Sequence, residues 1–232
     1  ISVFKNIFNI KSEADFQAAC LETFFYQYEN VEVYQKFVDF LGKKPSEIKE
    51  IKDIPFLPIE MFKNHLVLDK VFDSVQTDKS LSYFQSSGTT QIQTRSKHYI
   101  ADFNLYEESI YKSFEQFIGK PEDYIFLGLL PNYSENPHSS LIYMVDFLMK
   151  KSGKPENGYF LYNHQELFEL LQKLGQENKK IILFGVSFAL LDFLESHNDF
   201  TALQINDFTV IETGGMKGRK EEMTKDELLK IL

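Results

Sequence analysis

The chain reads as an α/β protein built on a largely parallel sheet flanked by helices. Three observations predict this. From Asp102 onward, segments with helical apolar periodicity alternate with short continuous apolar runs, the pattern of strands joined by crossover helices. Residues 131–140, 185–187 and 213–219 then fall after strand-like runs, beyond the carboxyl ends where such sheets bind their ligands. At 232 residues with 43% hydrophobic content, the chain can bury a substantial core as one large domain or two small ones.

Each element has a local signal. Ser12 and Asp15 form a capping box, after which Phe16, Ala19, Cys20, Thr23, Phe24 and Gln27 share one helical face. Cys20 sits on that stripe with nothing to activate it, so it reads as structural. A second helix covers residues 32–41 and ends at Gly42. In 53–63, Pro55 and Pro58 stand three apart, which forbids regular helix or central strand. That segment is predicted to run extended with its Phe, Leu, Ile and Met side chains packed inward. Residues 81–84 read as an extended run and 96–100 as a second strand.

Asp102 caps a helix whose apolar face is Phe103, Tyr106, Ile110, Phe114 and Phe117, ending at Gly119 with Pro121 beyond. Residues 124–130 form a buried strand and 140–150 a helix, with Ser139 and Ser140 as its caps. Asn163 with Glu166 caps the next helix, which carries Leu167, Leu170, Leu171 and Leu174 and is closed by Gly175. A strand at 180–184, a short helix at 188–194 and a strand at 208–212 follow. Thr224 with Glu227 caps a last helix carrying Leu228, Leu229, Ile231 and Leu232. A helix of about two turns that ends on apolar residues is marginal alone, so the chain is expected to be the front part of a longer protein.

Composition narrows the function. A net charge of −9 opposes nucleic acid, which calls for a basic face. One cysteine excludes an internal disulfide and a multi-thiolate zinc site. His65, His98, His138, His164 and His197 are scattered without metal-ligand spacing. No run approaches the length of a membrane span and no basic-then-apolar leader opens the chain, so the cytoplasm is the expected location.

The most informative stretch is 84–100. Ser86, Ser87, Thr89 and Thr90 surround Gly88, and Arg95 and Lys97 follow. Glycine lets successive N–H groups converge, and hydroxyls with cations and no carboxylate suit a polyphosphate. A serine/threonine turn bonded to its own backbone fits the same residues. A Walker loop does not, because the spacing is absent and a strand rather than a helix follows. The second glycine stretch, Thr213-Gly214-Gly215-Met216-Lys217-Gly218-Arg219, permits close approach of a flat ligand or phosphate, or serves as a solvent loop.

Together these residues resemble the adenylate-forming superfamily, and more narrowly the acyl-protein synthetase family of bacterial luminescence operons, related to phenylacetate–CoA ligases. Ser86-Ser87-Gly88-Thr89-Thr90 is similar to the superfamily's phosphate loop between two strands. Ile54-Pro55-Phe56-Leu57-Pro58-Ile59 with Phe62-Lys63, Gly185 to Leu191, and Glu212 to Gly218 resemble family segments in order. Two departures stand out. Gln91-Ile92-Gln93 replaces the usual Gly-x-Pro-Lys, displacing the lysine to Lys97, and the Tyr-Gly-x-Thr-Glu motif is absent from the chain.

The resemblance implies a truncated N-terminal domain of an adenylate-forming enzyme. Residues 1–80 would be a helical and extended region packed on the core, and 81–232 a nucleotide- and acyl-adenylate-binding region incomplete at its C-terminal end. It also implies activation of a carboxylic acid, a long-chain fatty acid, by ATP and Mg2+, with the magnesium ligand beyond Leu232. The acyl group then passes to a thiol, a protein cysteine or CoA, and an acyl-CoA reductase is an implied partner. Ser86, Ser87, Gly88, Thr89 and Thr90, with Lys97 and Lys217, are implied phosphate contacts. Thr213, Gly214 and Gly215 would line the adenosine side, and Gly185, Val186 and Ser187 the acyl pocket. His138 reads either as a loop histidine in solvent or as a neighbour of the acid carboxylate. Residues 1–232 alone are expected to show little or no turnover and at most weak ATP binding. A non-catalytic nucleotide- or acyl-binding module derived from the family, and an ordinary α/β domain with structural glycine loops, are the competing readings.

Overall fold

The computed structural model describes residues 7–70, 82–86, 95–132, 134–196, 200, 203, 205–214, 216, 220 and 223–231. The chain divides into two compact units, Ile1–Ser109 and Ile110–Leu232.

In the first unit, α1 (Glu13–Asn30) opens on the expected capping box. The Asp15 amide donates to Ser12 Oγ at 3.1 Å, and Asp15 Oδ2 accepts from the Ser12 amide at 3.0 Å. The buried stripe of α1 is rotated from the expected one. Phe24 is buried as predicted, but its partners are Leu21 and Tyr28, while Phe16 and Gln27 are exposed. The helix α2 (Glu32–Phe40) explains the rotation, because its Tyr34 and Val38 meet the side of α1 that Leu21, Phe24 and Tyr28 share. Gly42 then takes a left-handed φ of 68°.

Residues 53–63 correct a second expectation. The segment starts in a 3₁₀ turn, Ile51–Asp53, and closes in a one-turn helix, α3 (Met61–Asn64), begun by the Met61 amide donating to the Pro58 carbonyl. Ile54 and Leu57 pack on the cluster around Phe24, whereas Phe56 is 72% and Ile59 61% exposed. The Tyr34 hydroxyl donates to the Pro55 carbonyl at 2.8 Å, so the chain is held along one side only. β1 (Tyr83–Gln85) and β2 (Lys97–Tyr99) pair antiparallel, Phe84 opposite His98, which bears out a strand-to-strand arrangement around the hydroxyl stretch.

The helix α4 (Phe103–Phe117) carries Asp102 at its start, where Oδ1 accepts from the Asn104 and Leu105 amides. In the second unit Phe114 is buried against Tyr124 and Phe126, but Phe117, expected on the apolar face, is 79% exposed. Tyr124 fills the space beneath the helix end. Its hydroxyl donates to the Ile118 carbonyl at 2.9 Å and stands where a side chain on Gly119 would go.

The second unit is the predicted parallel sheet. β3 (Tyr124–Leu129), β4 (Gly158–Tyr159), β5 (Lys180–Gly185) and β6 (Asp207–Glu212) run parallel in the order β4-β3-β5-β6. Every residue of β3 is buried, as are five of six in β5, which is why both read as continuous apolar runs. The flanking helices are α5 (Ser140–Ser152), α6 (His164–Gln176), α7 (Ser187–Glu195) and α8 (Lys225–Ile231). Leu148, Leu167, Leu171 and Leu174 are fully buried in the core they share with the sheet. Each such leucine contributes about 1.5–3 kcal/mol.

The start and end of α6 differ from expectation. Asn163 makes no cap to the backbone, since its amide donates instead to Glu166 Oε2 at 3.2 Å. The helix runs past Gly175 to Gln176, and the left-handed residue beyond it is Asn178, with φ 51°. Among the described residues no helix is long and apolar enough to cross a membrane.

Candidate functional site

The strand ends of β5 and β6 place the candidate site. Gly185 and Glu212 are the last residues of the two strands and pair in register. After Gly185 the chain turns at once into α7. A Cβ on Gly185 would lie 2.6 Å from Leu190 Cγ, so only glycine lets α7 fold this closely over the strand end. Val186 holds an extended backbone before the helix and is buried in the core, and Ser187 begins α7 almost fully buried.

Three hydrogen bonds join this turn to the end of β6 and the segment after it, and a fourth closes that segment on itself. The Thr213 amide and hydroxyl both donate to the Gly185 carbonyl, at 3.0 and 3.3 Å. The Ser187 hydroxyl donates to Glu212 Oε1 at 2.5 Å, and the Gly214 amide donates to the same oxygen at 2.6 Å. Gly214 has φ 79°, and nothing lies within 4 Å of where its Cβ would be, so the glycine serves a backbone turn that faces open space.

Beside these bonds lies a cavity of about 420 Å³. Ser187, Glu212, Thr213, Gly214 and Lys225 line its polar side. Met216, Met223 and Leu228 form the apolar side, with Met216 and Leu228 buried. Its size and mixed lining are those of a small-molecule pocket. The start of α8 contributes Lys225 and Leu228, and the expected box at Thr224 and Glu227 fixes that start. Glu227 Oε2 accepts from the Thr224 amide and hydroxyl at 2.8 Å each, and these two bonds hold its carboxyl below the usual range.

Of the residues singled out from the sequence, Ser187, Thr213 and Gly214 meet at this cavity. Gly185 and Val186 stand behind it as packing and turn residues. Gly215 and Lys217 lie outside the described residues, as do Ser87, Gly88, Thr89 and Thr90. Ser86 and Lys97 belong to the first unit. Ser86 Oγ accepts from the buried Ser96 amide at 3.2 Å, and the Ser86 amide donates back to the Ser96 carbonyl at 3.1 Å. Lys97 Nζ lies 4.7 Å from the centre of the Tyr83 ring, and His98 stacks on Phe62 at 4.6 Å. His138 is exposed ahead of α5, whose first turn is capped by Ser139 Oγ accepting from the Ile142 amide.

Sequence reasoning missed Glu212, Lys225, Met223 and Leu228 as parts of one pocket. Glu212 heads the quoted glycine segment and Lys225 follows the Thr224 cap, so both sat beside recognised signals. The arrangement can bind and orient a ligand through hydroxyls, one carboxylate and one ammonium against an apolar wall of thioethers.

Comparison with known families matches residues 8–102 to "Acyl-protein synthetase, LuxE". The family is the one the sequence motifs resemble, and the match lies within the helical and hairpin part of the chain. No curated protein and no solved structure matches the chain.

Proposed function

Taking as premise that residues 8–102 carry the match to the acyl-protein synthetases, we propose that this protein activates a carboxylic acid with ATP and passes the acyl group to a thiol. A long-chain fatty acid is the proposed substrate, and a protein cysteine or CoA the acceptor. A carboxylate oxygen attacks the α-phosphorus, the bond from that phosphorus to the bridging oxygen breaks, and pyrophosphate departs. The thiol sulfur then attacks the acyl carbon, AMP leaves with the electron pair of the acyl–oxygen bond, and the thiol proton passes to solvent.

The family match is the observation that carries this reading, and the strand-end pocket supports it. The pocket's lining offers both kinds of surface that a nucleoside presents partners for. Met216, Met223 and Leu228 offer an apolar surface for a flat base, while Thr213, Gly214 and Ser187 offer polar atoms at its edge. We assign Thr213, Gly214 and Gly215 to the adenosine side and Ser187 to the acyl side. Ser86 to Thr90 with Lys97 we assign to the β- and γ-phosphates, where N–H groups, hydroxyls and a cation stabilise charge that spreads in the transition state. Among the described residues no group of three or more His, Cys, Asp and Glu could hold a metal ion.

ATP–pyrophosphate exchange by the full-length protein across a panel of carboxylic acids tests the proposal, with Thr89→Ala/Thr90→Ala as control. Exchange that depends on an aliphatic acid and collapses in the double variant is the expected result. Folded protein that binds ATP but exchanges with no acid would instead identify a non-catalytic module.

A further inference from the structure

Resting on the reading above, we propose that Glu212 is a positioning residue that couples the acyl-facing and adenosine-facing sides of the pocket. A single oxygen, Oε1, accepts from the Ser187 hydroxyl and from the Gly214 amide. Ser187 begins α7 and Gly214 lies beyond β6, so one carboxylate joins its own strand-end turn to another that starts 25 residues before it in sequence. Hydrogen bonds to an ionised acceptor are roughly twice as strong as neutral ones.

The backbone does not need this link to close the turns. Thr213 already donates twice to the Gly185 carbonyl, which continues the β5–β6 pairing one residue past Glu212. What Glu212 adds is control of two groups that line the cavity, and its own side chain lines that cavity too. The carboxylate is half-buried, and the two donors converge on one of its oxygens, so the donors and the carboxylate hold one another in place. Moving either donor alters the oxygen's position for the other. In the proposed reaction, the acid on the Ser187 side and the nucleotide on the Gly214 side are thereby held in one geometry.

The test uses the 232-residue chain with Glu212→Ala, Glu212→Gln, Ser187→Ala and the Ser187→Ala/Glu212→Ala double variant. Amide hydrogen exchange at Gly214 and the affinities for ATP and for hexadecanoate are measured. A glutamine side chain keeps a carbonyl oxygen, a weaker neutral acceptor, for both donors, so Glu212→Gln is expected to protect Gly214 less than the native chain does and more than Glu212→Ala. Glu212→Ala is expected to speed Gly214 exchange and to weaken both ligands by about tenfold or more, the scale of one hydrogen bond to a charged group. Ser187→Ala is expected to speed Gly214 exchange and weaken ATP although Ser187 does not bond Gly214, and the double variant to match Glu212→Ala alone.

The coupling is overturned if Ser187→Ala leaves Gly214 exchange and ATP affinity at native values. It is equally overturned if Glu212→Gln behaves like Glu212→Ala. If the exchange pattern follows the expected order while Glu212→Ala leaves ligand affinity at the native value, the link between the turns stands and its role in holding the ligands falls; the adenylation reading is tested separately by pyrophosphate exchange.

Discussion

Leu190 occupies the space that a side chain on Gly185 would need, with its Cγ and Cδ2 2.6 Å from the position of that missing Cβ. Leu190 is buried, so it cannot swing into solvent to make room. Gly185→Ala is expected to cost about 1–3 kcal/mol through overpacking. Urea unfolding of the single and the Gly185→Ala/Leu190→Ala double variant checks this. Overpacking requires the two changes to be non-additive, with Gly185→Ala costing less once Leu190 is trimmed.

Asn157 stands in for a strand at the short β4 end of the sheet. Its Oδ1 accepts from the Phe126 amide at 2.8 Å, and its Nδ2 donates to the Met149 carbonyl at 2.9 Å. Ser152 completes the bridge by donating to the Tyr124 carbonyl at 2.6 Å. Asn157→Ala is expected to lose about 1–3 kcal/mol for each backbone group it leaves unpaired. A lower denaturation midpoint at unchanged m is the expected signature. A midpoint equal to that of the native chain would show that these groups find other partners.

Gly214 separates backbone strain from crowding. Its φ is 79° and the space for a Cβ is empty, so Gly214→Ala meets strain alone. The expected cost is about 1–2 kcal/mol, concentrated in the turn after β6. Faster local amide exchange with little change in global unfolding would report it, whereas an unperturbed turn would argue that the left-handed conformation is not held in solution.

Tyr34 gives the first unit an alkaline limit. Burial pushes its hydroxyl up from 10.0 to about 12, and the group donates to the Pro55 carbonyl. Tyr26 is likewise raised to about 12, by burial first and then by its hydrogen bond to Asp69. Both folded values lie above the unfolded ones. Their contribution to stability is therefore complete below pH 10.0 and is lost as pH rises through about 12. A phenolate absorbance titration of the intact chain should show these tyrosines in a late-ionising class together with Tyr159, whose hydroxyl burial raises further, and Tyr34→Phe should remove one from that class. A single ionisation step near the ordinary tyrosine value would contradict this.

Much of the secondary structure was legible because its signals are local. The Ser12–Asp15 and Thr224–Glu227 boxes close within three residues, and Asp102 caps the amides of Asn104 and Leu105 just beyond it. The strands β3 and β5 read as apolar runs because both of their faces are buried. The antiparallel pair β1 and β2 was likewise visible as two extended segments around the hydroxyl stretch.

By itself, the sequence determined where most helices and strands lie, α3 and β4 excepted, that the sheet is largely parallel, and which segments follow its strand ends. Caps, periodicity and proline act over a few residues, so they can be read in order along the chain. Only the tertiary structure decided that Leu21 and Tyr28 rather than Phe16 and Gln27 flank Phe24, and that Phe56 and Phe117 face solvent. It also decided that Ser187 and Gly214 share one oxygen of Glu212, and that Asn157 completes the edge of β3. These outcomes join residues far apart in sequence. A burial pattern or a carboxylate's choice of donors depends on which surface folds against it, and no local pattern carries that information.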